Sequence, residues 1–380
     1  VTPGAAPPSS VAEQFTRGEA ISVEVDRIER ALADLWKAAS RDAGPDVVIS
    51  RAALWNLVVA TRAQELPRTK KMVDELAPLV PARVLVLVED PAAAPGSAVQ
   101  ASIESNVVAR ASGARTVYSE EITLRGGVAG DLHFGSLVRA LQTPGLPTAT
   151  FWTDPTMPEA LLRRQLRPAT DRLVLDTGRC ARPRQLLELQ RCAELSRGAI
   201  PVADLGWLRL ASFRLLFAGL FDPPVGGAPL ARARRVSIEH RPGAEVSALL
   251  LAAWLASALD WLFAAAEPAP GGGLPRFRFD RAGGGSVDVA LEAREGECGT
   301  SGIVALEVAT AEPGGGEALY SVRRTAQNHA TLTLPIAPPR SVKLDSRTDA
   351  ELCLAALGPS GADRLFARAL GLAARLATFA

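Results

Sequence analysis

Between residues 204 and 224 the apolar positions Phe213, Leu216, Phe217 and Leu220 fall at i, i+3, i+4 and i+7, the repeat of a helix face. Pro223-Pro224 end that helix by removing donors and restricting the residue before them. So apolar a helix is expected to be buried against a sheet. Upstream, Val25, Ile28, Leu32, Leu35 and Trp36 mark an amphipathic helix, and 47–50 and 54–61 read as strands. Helical periodicity over 69–79 ends at Val80-Pro81, and Arg83 to Glu89 is a Val/Leu run typical of a strand covered on both faces, giving a βαβ unit. Segments 101–110 and 116–125 alternate around Ala111-Ser-Gly-Ala114 and predict a hairpin. Beyond them the pattern predicts helices over 132–141, 158–166 and 183–193, and strands over 148–152 and 172–176.

In the second half a strand over 235–240 precedes one long apolar helix over 246–266, then strands over 276–280, 287–292, 303–309, 319–324 and 331–334. Gly271-Gly-Gly273, Gly283-Gly-Gly285 and Gly314-Gly-Gly316 match tight connections of an antiparallel sheet. Helices over 349–357 and 361–378 close the chain. The expected fold is α/β, becoming α+β in the second half. It comprises an N-terminal mixed sheet with flanking helices and a C-terminal antiparallel-rich sheet packed by helices. Residues 1–20 read as a disordered tail, 21–224 as the first domain and 225–380 as the second, the boundary lying in Asp222-Pro-Pro-Val-Gly-Gly-Ala-Pro229.

A chain of 380 residues with 48% hydrophobic content can bury two cores. A formal charge of +1 lacks the concentrated basic field that nucleic acid or anionic lipid would select. The 246–266 stretch is long enough to span a bilayer, yet it carries Asp260 and is flanked by Glu245 and Glu267, so a helix in a soluble core is the expectation. Cys180, Cys192, Cys298 and Cys353 show no Cys-x-x-Cys spacing and suit a reducing cytoplasm. With His133, His240 and His329 widely separated, no metal site is expected.

None of the triple glycines precedes Lys-Ser/Thr or a predicted helix, so phosphate cradles are not expected, and no Gly-x-Ser-x-Gly elbow is present. Two constellations remain. Arg323, Arg324, Gln327, Asn328 and His329 suit an anionic sugar or a partner's carboxylates; alternatively they cap and connect two strands, with Asn328 in the turn. Trp207, Arg209 and Arg214 are of the types found at interface hot spots. Equally, Trp207 fills a core while Asp204 pairs with Arg209 or Arg214 inside the fold.

The motif Asp204-Leu-x-Trp207-x-Arg209-Leu, the Phe213-Arg214 helix start and Phe221-Asp-Pro-Pro224 together resemble the glucose-6-phosphate dehydrogenase assembly protein family, OpcA. Segments 83–91, 121–125, 146–152, 249–261 and 327–332 follow in the family's order. This resemblance implies a non-catalytic partner of the glucose-6-phosphate dehydrogenase oligomer that promotes its active form at the entrance of the oxidative pentose phosphate pathway, where NADPH is made. It implies no cofactor of its own. The rival is a sugar-phosphate-binding enzyme or metabolite sensor, with Arg323, Arg324 and His329 on the phosphate and Asp204 as base. The chain departs from the family in two ways. Gly206, Ala211 and Ser212 stand where Asn, Thr and Pro are usual, so Ser212 is expected to cap the helix. Cys353 stands alone, which argues against redox control through a C-terminal cysteine pair.

Overall fold

The computed structural model describes residues 14–42, 48–51, 53–94, 97–109, 115–127, 134–195, 200–269, 273–358, 361 and 363–380. The start of the expected tail, the connection 111–114, His133 and Gly271-Gly272 lie outside them. The chain forms two compact units, one holding residues up to Phe151 with Arg164–Asp171, the other Trp152–Arg163 with Arg172–Ala380.

In the first unit, strands β1 (Gln14–Arg17) and β2 (Ile21–Val23) precede helix α1 (Ile28–Asp42). Strands β3 (Val48–Arg51) and β4 (Trp55–Arg62), helix α2 (Leu66–Leu76) and strand β5 (Ala82–Glu89) follow. The unit is completed by β6 (Gln100–Ala109), β7 (Arg115–Gly126), helix α3 (Phe134–Leu141) and β8 (Thr148–Trp152). β4, α2 and β5 form the expected parallel βαβ unit, with Val59 beside Val86. β5 also lies parallel to β7, β4 lies parallel to β8, and β6 with β7 makes the antiparallel pair. Every residue of β5 is buried, as a strand covered on both faces must be.

Burying both faces of β5 brings its first charged residue, Arg83, inside. The guanidinium donates to Glu120 from Nε (3.0 Å) and Nη2 (2.8 Å), to Glu29 from Nη1 (2.6 Å) and Nη2 (3.2 Å), and to the Leu141 carbonyl (2.7 Å). Each of its N–H groups is thereby matched. Lys70 likewise reaches inward from α2 to both Glu104 and Glu121, which face each other across β6 and β7.

In the second unit a short helix α4 (Glu159–Leu161) runs into a π-helical turn, and β9 (Arg172–Leu175), α5 (Gln185–Leu195) and β10 (Val202–Asp204) follow, β9 and β10 being parallel. Helices α6 (Leu205–Arg209) and α7 (Ala211–Gly219) then lead through Pro223-Pro224 and Gly226-Gly227 to β11 (Ala233–His240), so that Pro/Gly-rich segment lies inside this unit. α8 (Glu245–Ala258) precedes β12 (Leu262–Glu267), β13 (Arg276–Asp280), β14 (Ser286–Ala293), β15 (Ile303–Ala311), β16 (Glu317–Ala326), β17 (His329–Leu334) and β18 (Ala337–Lys343). Helices α9 (Asp349–Ala356) and α10 (Arg364–Leu376) end the chain.

Strands β11 to β18 form one eight-stranded sheet in the order β12-β13-β14-β11-β15-β16-β17-β18, antiparallel except where β11 meets β14. Period-two alternation sorts its side chains. Val236, Ile238, Phe277, Phe279, Val289, Leu306, Val308, Val322 and Leu332 are buried on the face where α8 packs. Arg235, Glu239, Arg278, Asp288, Glu307 and Arg323 occupy the alternate positions. The Gly283 to Gly285 and Gly314 to Gly316 loops close the β13-β14 and β15-β16 hairpins, with positive φ at Gly284, Gly285, Gly315 and Gly316.

The α/β, two-domain expectation holds, while two local expectations are corrected. The apolar 246–266 stretch is not one helix: α8 stops at Ala258, the chain turns at Asp260 (φ 52°), and β12 carries the remainder along the sheet edge. Periodicity cannot separate a continuous apolar helix from a helix followed by an apolar strand. α7 is not buried all round either, since Phe213 and Phe217 turn inward and Leu215 is 73% exposed.

Arg83→Met removes a cation from a buried carboxylate and should lower unfolding free energy by about 3–5 kcal/mol, read from the urea midpoint at neutral pH. Glu29→Gln, at a side chain 53% exposed, should cost under about 1 kcal/mol in the same measurement.

Candidate recognition site

Asp204 ends β10 and caps α6, a consequence of one carboxylate meeting the donors that a helix start leaves free. It accepts from the backbone N–H of Trp207 (2.6 Å), the backbone N–H of Thr177 (2.7 Å) and the Thr177 hydroxyl (2.7 Å), and it is 1% exposed. Burial, reinforced by the nearby Asp176 charge, pushes its carboxyl up to about 7 against the pull of those donors. The expected pairing with Arg209 or Arg214 does not form. Arg209 forks instead onto Asp176 and reaches Asp349 (2.8 Å), and those two carboxylates hold its guanidinium protonated despite burial.

Two glycines make this packing possible. A Cβ on Gly206 would strike the Thr177 hydroxyl and stand 2.8 Å from the Gly178 nitrogen; one on Gly178 would stand 2.7 Å from Arg209 Nη1. The Gly206 that departs from the family pattern is thus required by its neighbours here.

Trp207 is buried, donates from Nε1 to Asp363 (2.9 Å) and lies against Phe366 at 5.5 Å between ring centroids. Arg214 covers its other face with the guanidinium carbon 3.4 Å from the ring centroid, and donates to the Trp207 carbonyl (3.1 Å). Burial brings Arg214 down to about 10, against the attraction of Asp363. Ser212 does not cap α7. Its hydroxyl donates to the Asp345 carbonyl (3.1 Å), because α7 continues from α6 through Leu210 and offers no free first turn to cap. Asp204, Trp207, Arg209 and Arg214 therefore do come together, around donors and carboxylates of their own unit.

The second constellation is the β16-β17 hairpin. Ala326 pairs with His329, and Gln327, Asn328 and His329 are exposed at its tip. Successive strand residues point to opposite faces, so Arg323 and Arg324 do not converge on one ligand. Arg323 forks onto Glu239 (2.8 and 3.0 Å), two strands away, and also donates to Glu307 (3.0 Å) on the neighbouring strand. The hydrogen bonds with Arg323 also hold the Glu239 carboxyl below its usual range. Arg324 turns inward, is 6% exposed, and donates from Nη1 to the Gln327 carbonyl.

Sequence reasoning missed Asp176, Asp349, Asp363, Glu239 and Glu307, the carboxylates that these arginines and Trp207 meet. They lie 16 to 156 residues from their partners in the chain, and no local pattern marks them. Among the described residues no group of three His, Cys, Asp or Glu could hold a metal, and no helix is long and apolar enough to cross a membrane. All four cysteines are buried; burial first, then nearby carboxylates, pushes the Cys192 thiol up to about 12 and Cys180 higher still.

Comparison with known proteins matches residues 73–192 to the glucose-6-phosphate dehydrogenase subunit N-terminal domain and residues 200–370 to the C-terminal domain of the same family. A protein of Nostoc punctiforme named as an OxPP cycle protein OpcA is 31% identical over 192 residues, covering 50% of this chain and 40% of the relative. Its namesake in Synechococcus elongatus is 33% identical over 148 residues, covering 39% and 33%. These matches span less than half of either relative's length. Among solved structures, the 3-ketoreductase KijD10 of Actinomadura kijaniata has a TM-score of 0.45 at 11% identity, covering 86% of this chain and 96% of that one. An oxidoreductase of Thermotoga maritima scores 0.44 at 12%, covering 86% and 97%. Likeness at that level carries no argument about activity. With both of its domains matched in order, and the Asp204 to Pro224 signature at the start of the second, the chain belongs to the glucose-6-phosphate dehydrogenase assembly protein OpcA family.

Proposed function

We propose that this chain is a non-catalytic assembly factor that binds glucose-6-phosphate dehydrogenase and promotes its active oligomer, raising NADPH production in the oxidative pentose phosphate pathway. The observation that carries the reading is the paired match to dehydrogenase-subunit domains over residues 73–192 and 200–370. An activator of this kind works by binding the active oligomer more tightly than the inactive one, since a ligand moves an equilibrium only through differential affinity. Carrying an enzyme from about 1% to about 99% active would take roughly 5.5 kcal/mol of such difference.

The geometry divides labour between the two constellations. Asp204, Trp207, Arg209 and Arg214 are engaged inside the second unit, which supports a structural role. The Gln327 to His329 tip is exposed and presents amide and imidazole groups to a partner. Asp204 is too enclosed to reach a substrate as a base, and Arg323 already spends its fork on two carboxylates.

Addition of the purified chain to the dehydrogenase of the same organism should raise its rate and shift its mass to a larger species in mass photometry. No change in either would defeat the proposal, as would consumption of a sugar phosphate by the chain alone. Asn328→Ala, at the exposed tip, should weaken activation about three- to tenfold with an unchanged melting temperature. Asp204→Ala should instead destabilise by about 1–3 kcal/mol through loss of the cap and of a buried acceptor, while the folded fraction still activates in a cold assay.

A further inference from the structure

Buried and half-buried guanidiniums in this protein find different partners. Arg83 meets Glu29 and Glu120, Arg209 meets Asp176 and Asp349, and Arg323 meets Glu239 and Glu307. Arg324 is 6% exposed and bonds no carboxylate. Among the described residues its one hydrogen bond goes from Nη1 to the Gln327 carbonyl, which sets the guanidinium beneath the hairpin turn. Nε is enclosed with no acceptor, and Nη2 makes no hydrogen bond among the described residues. Burial makes this group hold its proton less firmly than an ordinary arginine, and the attraction of Cys298 and Glu297 offsets that only in part.

The surroundings fix the group in place. Gly299, at φ 56°, brings its backbone so close that a Cβ there would stand 2.7 Å from Arg324 Cζ and Nη1 and 3.0 Å from Nη2. The Phe213 ring, with its centroid 5.6 Å from Cζ, bounds it as well. At the tip above, Gln327, Asn328 and His329 are exposed and carry further donors. A buried cation of fixed orientation, with Nε enclosed and unmatched and Nη2 without a bond, complements a group that brings its own negative oxygen atoms.

We propose that Arg324 anchors an oxyanion site beneath the β16-β17 turn, taking a phosphate or carboxylate oxygen on Nη2 with the Gln327 and Asn328 amides at its mouth. Arg323, its neighbour in sequence, takes no part, because it stands on the opposite face with its fork on Glu239 and Glu307. The site belongs to the free chain and does not depend on the dehydrogenase reading.

The test is calorimetric titration of the whole chain with inorganic phosphate and, separately, with acetate, at ionic strength held constant with chloride. Wild type should bind at least one of them with a dissociation constant on the order of 1 mM. Preference for phosphate identifies a phosphorylated small molecule as the natural ligand, and equal or stronger acetate binding identifies a carboxylate. Arg324→Gln should weaken binding at least about tenfold, and Arg323→Gln should leave it unchanged. Absence of binding by both anions overturns the proposal, as does an unaltered affinity in Arg324→Gln or a loss confined to Arg323→Gln. If Arg324→Gln does not fold, Arg324→Lys decides: it keeps the charge and loses the planar fork, so an affinity equal to wild type overturns the site.

Discussion

The guanidinium of Arg209, held between Asp176 and Asp349, sets the arrangement of the elements around it in the second unit. Asp176 follows β9, Arg209 ends α6 and Asp349 opens α9, so one fork fixes three elements that share no local sequence. A third carboxyl, Asp204, lies close enough to feel Asp176, yet it has no cation of its own. It is tolerated because the Thr177 and Trp207 donors face it. The same closeness makes Gly178 and Gly206 obligatory, since either side chain would push the fork and the cap apart. The helix start at α9 is secured separately, by a reciprocal capping box between Thr348 and Glu351.

The rule that a guanidinium leaving water must find its counter-charge also explains the sheet of the second unit. On the face away from α8, Arg278 bonds Asp288, Arg294 bonds Glu292, and Arg323 bonds Glu239 and Glu307, each across or along neighbouring strands. Pairs this exposed contribute little stability individually. Their consequence is that the face is largely neutralised by its own residues, so recognition there favours shape and uncharged donors over a strong field. Arg214 and Arg324 depart from this pattern, the first lying over the Trp207 ring and the second beneath the turn on the Gln327 carbonyl.

Much of the element order was legible before folding. The continuous apolar run of β5, the βαβ unit around α2, the β6-β7 pair and the glycine-closed hairpins all follow from period, propensity and turn chemistry. Legibility failed where one pattern serves two structures. The 246–266 stretch reads as a single helix because its alanines and leucines favour helix throughout; beyond the turn at Asp260, pairing with β13 overrides that propensity in β12. β18, with Pro338-Pro339, matches none of the strands expected from the pattern, and it forms at the sheet edge, where proline's missing donor is tolerated. Ser212 reads as a cap and is not one, because α6 leaves α7 no free first turn.

By itself the sequence determined the class of fold, the approximate place of most strands and helices, and family membership through an ordered set of short motifs, since these depend on residues near one another in the chain. It also singled out Asp204, Trp207, Arg209, Arg214 and the Arg323 to His329 run as chemically unusual. Only the tertiary structure decided what those residues do. What an arginine binds depends on groups that arrive from elsewhere in the chain: the Asp349 carboxylate for Arg209, the Glu239 carboxylate for Arg323 and, among the described residues, the Gln327 carbonyl for Arg324. Adjacent in sequence, Arg323 and Arg324 differ because a strand turns consecutive side chains to opposite faces, one toward neighbouring acids and the other toward a glycine backbone and a phenyl ring.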